Sequence, residues 1–182
     1  MPEWVHAVER AYVAAATSKG AIKAGGGERD RAKALAAIGA VASHYLAVGT
    51  PRSMGLVVDA ATRDDGELSV VAHRTWFQPT DIRCAGAMIA TARATTLAEA
   101  LACDIVCIHV PIAIPNGAIR RGTHINVLAQ MALPEELASV AAISREMPDL
   151  GAMAAGFVDG RQLDEITIFI AGDAAIALAA LA

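Results

Sequence analysis

Cys107 and His109 lie two residues apart in the apolar run 104–110 (DIVCIHV), a spacing that turns both side chains to one face of a strand. Open α/β sheets hold ligands beyond the carboxyl ends of their strands. His109 falls at that end of its run. It reads either as a proton-transfer group at a ligand cleft or as a hydrogen-bonded structural histidine. Cys107, His109 and His124 are metal-binding types, but no pair has zinc-finger spacing, so no metal is expected. Cys84 would need an organising base to act as a nucleophile, and none is evident beside it. Asp164 and Glu165 precede an alanine-rich C-terminal segment, where they either cap a helix or reach back to the ligand cleft.

The elements that must position these groups follow from periodicity. Residues 3–16 read as an amphipathic helix, 18–27 as a loop ending in three glycines, and 29–45 as an alanine-rich helix that could pass into a strand from Ile38. The β-rich runs 54–59 and 67–72 are joined by 60–66, too short for a parallel crossover, which predicts an antiparallel hairpin. Thr80 or Asp81 can cap a helix to about Ala94, and Thr95 or Thr96 another through Ala102. The runs 104–110 and 123–129 read as strands buried on both faces, with weaker strand character at 140–144. Pro134 opens a short helix before that weaker strand, and residues 164–169 lead into a C-terminal helix.

Composition narrows the function classes. The chain has 182 residues, enough for one domain or two small lobes sharing a core. Net charge is −4, the three lysines (Lys19, Lys23, Lys33) sit in the first fifth of the chain, and no basic stripe appears, so no nucleic-acid partner is expected. No apolar run reaches the roughly 18–20 residues of a membrane span, and MPEWVHAVER does not read as a signal peptide. Three cysteines fit reduced thiols better than a disulfide framework, and a cytoplasmic location is expected.

A dinucleotide fold needs G-x-G-x-x-G between a strand and a helix. The only G-x-G lies in Gly25-Gly26-Gly27, with no convincing strand before it and Asp30 at the third glycine position. No Gly-Lys-Ser/Thr occurs either. No cofactor is expected.

Several segments, in order, resemble the ornithine cyclodeaminase/mu-crystallin family: HAVERAYVAAA, GLVVDAATRDDGELSVVAHRTW with TDIRCAGAMIATARA, TLAEALACDIVCIHVP with RRGTHINVLA, and GRQLDEITIFIAGDAAIALAALA. GTHIN and DEITIF are the specific pieces, and His124 within GTHIN is read as structural. The resemblance implies a two-lobed α/β fold, with a helix-plus-β-hairpin lobe (1–94 with 164–182) and a truncated Rossmann-like parallel sheet (95–163). The family's first strand, glycine loop, helix and second strand would fall between Arg93 and Leu97, where the chain runs Arg93-Ala94-Thr95-Thr96-Leu97. The whole phosphate-binding unit therefore reads as deleted. The family's carboxylate-binding arginine falls on Arg83, beside Thr80, or else Arg83 pairs with Asp81. His44 stands where a substrate lysine is expected, and Met131 replaces the catalytic aspartate, which a thioether cannot replace in acid–base work.

Two functions follow as expectations. One is a cofactor-independent enzyme working by proton transfer on a small amino-acid-like or cyclic-imine substrate, with Arg83, Thr80 and His44 binding and His109 catalytic. The other is a non-catalytic small-molecule-binding or scaffold pseudoenzyme. Both imply a ligand bearing a carboxylate and a homodimer.

Overall fold

The computed structural model describes residues 28–47, 49–145, 150–162 and 164–171. The expected first helix, the three-glycine loop and the C-terminal helix lie outside these residues. The first described element, α1 (Glu28–Leu46), stays helical throughout, so the strand alternative from Ile38 is corrected. Its alanines explain why. Ala34, Ala36, Ala37, Ala40 and Ala42 are all buried, and small side chains let a strong helix former pack closely on several sides.

Seven strands form one parallel sheet: β1 (Ser53–Val57), β2 (Asp81–Ala85), β3 (Arg93–Ala94), β4 (Ile105–Ile108), β5 (His124–Val127), β6 (Ala142–Arg145) and β7 (Thr167–Ile170). Their order is β3-β2-β1-β4-β5-β7-β6. The α/β class and the Rossmann-like parallel sheet are as the sequence implied. β4, β5 and β6 fall on the three runs read as strands.

The hairpin is corrected. Residues 63–74 form helix α2 (Arg63–Arg74), a crossover that brings β2 alongside β1 in parallel. The period decides it: Gly66, Ser69, Val70 and His73 are buried, whereas Val71 is 61% exposed, which is helical spacing rather than alternation. Asp64 and Asp65 in its first turn, with His73 and Arg74 in its last, also suit the helix dipole.

The helix expected from Thr80 to Ala94 is corrected as well. The Thr80 and Asp81 N–H groups both donate to Arg52 O, at 3.0 and 3.1 Å, feeding the chain into β2 instead of capping a helix. Helix α3 (Leu97–Leu101) does start at Thr96, with a full capping box: Thr96 Oγ1 accepts from Glu99 N–H while the Glu99 carboxylate accepts from Thr96 N–H. Two short helices complete the described chain, α4 (Glu135–Val140) and α5 (Gly151–Ala154).

Strand alternation sorts the two faces of the sheet. Met54, Leu56, Ile82, Cys84, Ile105 and Cys107 face α2, while α1 packs on Phe169 and Leu150. Val57, Val106, Ile108, Ile125, Val127 and Ile168 face the opposite way, with Ala100 and Leu101 of α3. Gly55 lies directly beneath α3, where a Cβ would fall inside the Ala100 carbonyl.

Candidate functional site at the carboxyl edge of the sheet

Strand order reverses direction between β1 and β4, the switch point at which open parallel sheets leave a crevice for ligands. Three segments border it: the turn 58–62 between β1 and α2, His109 after β4, and Leu128 after β5. The His109 N–H donates to Val57 O at 2.9 Å and the Leu128 N–H to Ile108 O at 2.9 Å, extending the sheet to this edge.

β1, its turn, α2 and β2 are the strand–turn–helix–strand unit on which a dinucleotide pyrophosphate would rest. The reading that this unit was removed between Arg93 and Leu97 is therefore corrected. Glycine-rich sequence is missing, but the unit stands at residues 53–85 with a different turn. That turn reads Val58-Asp59-Ala60-Ala61-Thr62-Arg63. Val58 is buried and packs on Gly66 of α2, at whose position a Cβ would lie 2.9 Å from Val58 Cγ1. Gly86, at φ +100°, in turn packs on the Val58 carbonyl.

Asp59 fills the turn with its own charge. Its Oδ1 accepts the Ala61 and Thr62 N–H groups, each at 2.9 Å, and the Thr62 hydroxyl at 3.0 Å. The Thr62 bonds above all, then the Ala61 N–H, hold the Asp59 carboxyl below its ordinary range. Backbone donors at the head of a helix are the groups a phosphate would use. Here the Ala61 and Thr62 N–H groups just before α2 are engaged by a carboxylate, and Asp64 and Asp65 add negative charge in its first turn. At the end of β2, where an acid would hold the ribose, stand Ala85, Gly86, Ala87 and Met88. These residues do not fit a dinucleotide.

Behind the edge runs a buried polar spine. The His73 Nδ1–H donates to Ser69 O at 2.8 Å, and His73 Nε2 lies 2.9 Å from Ser43 Oγ. Asn126 Nδ2 donates to Ser43 Oγ at 2.8 Å, and Asn126 Oδ1 faces His124 Nε2 at 3.0 Å. His124 Nδ1 meets Thr167 Oγ1 at 2.9 Å, and Thr167 reaches Leu46 O at 2.8 Å. Ser69 Oγ adds His109 Nε2 at 3.0 Å. The spine links α1, α2, β4, β5 and β7. Burial is the main cause that pushes His73 and His109 down to about 4 and His124 to about 3, so all three are neutral at pH 7.

Of the residues singled out from sequence, His109 alone stands at the crevice. Arg83 projects to the α3 face. Its Nε and Nη2 donate to Asp81 Oδ2 at 2.9 and 2.6 Å, and its Nη1 to Glu99 O at 3.2 Å. Thr80 precedes β2 at the opposite, amino edge of the sheet. His44 is exposed on α1, its ring 3.8 Å from that of Trp76. The structure does not bring these three together with His109. The cysteines are buried and free; burial raises Cys84, takes Cys103 to about 11 and Cys107 to about 12. None is a thiolate at neutral pH. Among the described residues no group of three His, Cys, Asp or Glu could hold a metal ion, and no helix is long and apolar enough to cross a membrane.

Sequence reading missed Asp59, Ser69, His73 and Asn126. Asp59-x-x-Thr62 directly after an apolar run is a turn and cap signature, and Ser69 and His73 are one helical turn apart. The first was hidden by reading 54–59 and 60–66 as a strand and hairpin connection, the second by assigning 67–72 to a strand.

No family model and no curated protein matches the sequence. Solved structures do match the fold. An archaeal alanine dehydrogenase, described as a dimer with bound NAD, aligns with a TM-score of 0.67 at 21% identity, over 82% of this chain and 62% of its own. A Δ1-pyrroline-2-carboxylate reductase of Thermococcus litoralis, in complex with NADH and L-proline, gives 0.66 at 18%, over 85% and 65%. A probable ornithine cyclodeaminase of Bordetella pertussis Tohama I gives 0.65 at 19%, over 82% and 63%. The chain thus has the fold of the ornithine cyclodeaminase-like structures and spans less than two thirds of the length of each of these three.

Proposed function

We propose that this protein is a cofactor-independent enzyme that acts by proton transfer on a small amino-acid-like or cyclic-imine substrate, with His109 at the reacting atoms. The observation that supports the reading is the turn 58–62, in which Asp59 engages the Ala61 and Thr62 N–H groups and sets a negative charge where a pyrophosphate would lie. Hydride transfer requires a nicotinamide, whereas cyclisation, tautomerisation or hydrolysis of an imine requires only a positioned donor or acceptor. His109 offers such a group at the adjoining strand end. The substrate class is taken from the neighbours of like fold, described with L-proline or as a probable ornithine cyclodeaminase.

Arg83, Thr80 and His44 stand apart from His109, so they are proposed only for a carboxylate contact separate from the reacting atoms, which Arg83 can make only by exchanging Asp81 for the ligand. The division into lobes 1–94 with 164–182, and 95–163, is a proposal too, and the sheet crosses it between β1 and β4. A homodimer is proposed by likeness to the dimeric dehydrogenase, and a cytoplasmic location from three free thiols.

A second reading, a non-catalytic binding or scaffold protein, is favoured by the engagement of Arg83 with Asp81 and by Met131 in place of the expected aspartate. Thermal shift with NAD(H), NADP(H), amino acids and cyclic imines separates the readings, followed by mass-spectrometric detection of deuterium uptake from D2O. The proposal expects stabilisation by an amino acid or imine, with deuterium incorporated and both effects reduced in His109→Gln. Stabilisation by a nicotinamide nucleotide would overturn it. Binding without exchange or turnover would select the second reading.

A further inference from the structure

Ser69 is wholly buried on α2, and its hydroxyl has one proton to place. Among the described residues the only acceptor bonded to that hydroxyl is His109 Nε2, at 3.0 Å. The reverse arrangement, with Nε2–H donating to Ser69 Oγ, would leave a buried hydroxyl proton without an acceptor, which is unfavourable. Nε2 is therefore the lone-pair nitrogen. A neutral imidazole then carries its proton on Nδ1.

His109 Nδ1 has no partner among the described residues, yet it is not an orphaned buried atom. The only buried side-chain nitrogen or oxygen without a bond there is Trp76 Nε1. Nδ1 is therefore not sealed from solvent, although the residue as a whole is only 8% exposed. Behind it, Ser69 is itself tied down, because its carbonyl accepts the His73 Nδ1–H.

We propose that Ser69 is a positioning residue that fixes His109 as a neutral Nδ1–H donor, aimed at a carbonyl, carboxylate or imine acceptor of a bound molecule. The burial that disfavours imidazolium agrees with this polarity. At neutral pH such a group polarises an acceptor, and in the proposed proton transfer the proton leaving the substrate passes to solvent water. The inference gives a direction to the role proposed for His109, and its ligand class rests on that reading; the tautomer does not.

The test uses the whole chain, 15N-labelled at histidine, with ring nitrogens assigned by NMR at pH 7. The expected pattern for His109 is a pyrrole-type Nδ1 and a pyridine-type Nε2. A protonated Nε2 would overturn the proposal. In Ser69→Ala both nitrogens should move toward mixed values, while an unchanged pattern removes Ser69 from the positioning role. Should that variant not fold, the wild-type pattern decides alone. Acetate and acetamide then probe the acceptor class: one or both should shift the Nδ1 resonance, and no shift from either sinks the ligand half. No substrate enters the tautomer measurement, so failure of the amino-acid and imine panel leaves it standing.

Discussion

Asp59 and Thr62 hold each other from both directions across the turn after β1. The Asp59 N–H donates to Thr62 Oγ1 at 3.0 Å, while Asp59 Oδ1 accepts the Thr62 N–H at 2.9 Å and the Thr62 hydroxyl at 3.0 Å. The result is a rigid loop whose anion-binding donors face a carboxylate of the same chain. A free phosphate arriving there would meet Ala61 and Thr62 donors already engaged and the like charges of Asp59, Asp64 and Asp65.

Removing that carboxylate has a directional outcome. Asp59→Ala should lower the urea midpoint, because the Ala61 and Thr62 N–H groups lose their acceptor. The wild type should show no thermal shift with inorganic phosphate or NADH. The Asp59 carboxyl lies below its ordinary value of 3.8, so its contribution is present above that pH and is lost as pH falls through the lowered value. A urea titration of both proteins between pH 3 and 7 checks the difference.

The three buried histidines predict acid sensitivity in a separate window. Each is neutral when folded, with values of about 4, 4 and 3 against 6.5 when free. Unfolding below pH 6.5 therefore takes up protons, and stability is full above that pH and falls as pH drops toward 4. With about three protons bound on unfolding near pH 5, the slope approaches about 4 kcal/mol per pH unit. Denaturant unfolding at half-unit steps from pH 7.5 to 5 measures it; a flat profile would refute the neutral spine.

Asn126 is the junction of that spine. Asn126→Ala would strip partners from His124 Nε2, Ser43 Oγ and Cys107 Sγ in a site with no access to water. A loss of about 3 kcal/mol is expected. Chemical denaturation at pH 7.5 reads it, where the histidines are neutral in both states.

Two kinds of glycine should separate on substitution to alanine. Gly55 and Gly86 have no room for a Cβ, against the Ala100 and Val58 carbonyls respectively, and each change should cost about 1–3 kcal/mol or more. Gly117, at φ +72° in open space, should cost only about 1 kcal/mol through its backbone conformation. Melting temperatures of the three variants test the ranking. Gly86→Ala should also disturb the Val58 turn, visible as altered Ala61 and Thr62 amide shifts.

What was legible in the sequence was carried by strong local signals. DIVCIHV is a nearly unbroken apolar run and THINVLA is β-rich around Ile125 and Val127, a pattern that suits a central parallel strand, so β4 and β5 were readable. A threonine cap at Thr95 or Thr96 announced α3, and the structure assigns it to Thr96 through a capping box with Glu99. The absence of a glycine-rich phosphate loop could likewise be read directly. Tertiary structure decided the rest. The segment ELSVVAHR looks β-prone one residue at a time, but its burial alternates at helical spacing because it must cross back over the sheet between β1 and β2. Arg83 could have faced a ligand or Asp81, and strand geometry placed Asp81 two residues away on the same face. His109 was visible as a polar residue at a strand end. Its partner, its charge state and its open nitrogen depended on Ser69, forty positions distant, because hydrogen bonds and desolvation are properties of packed neighbours and not of chain order.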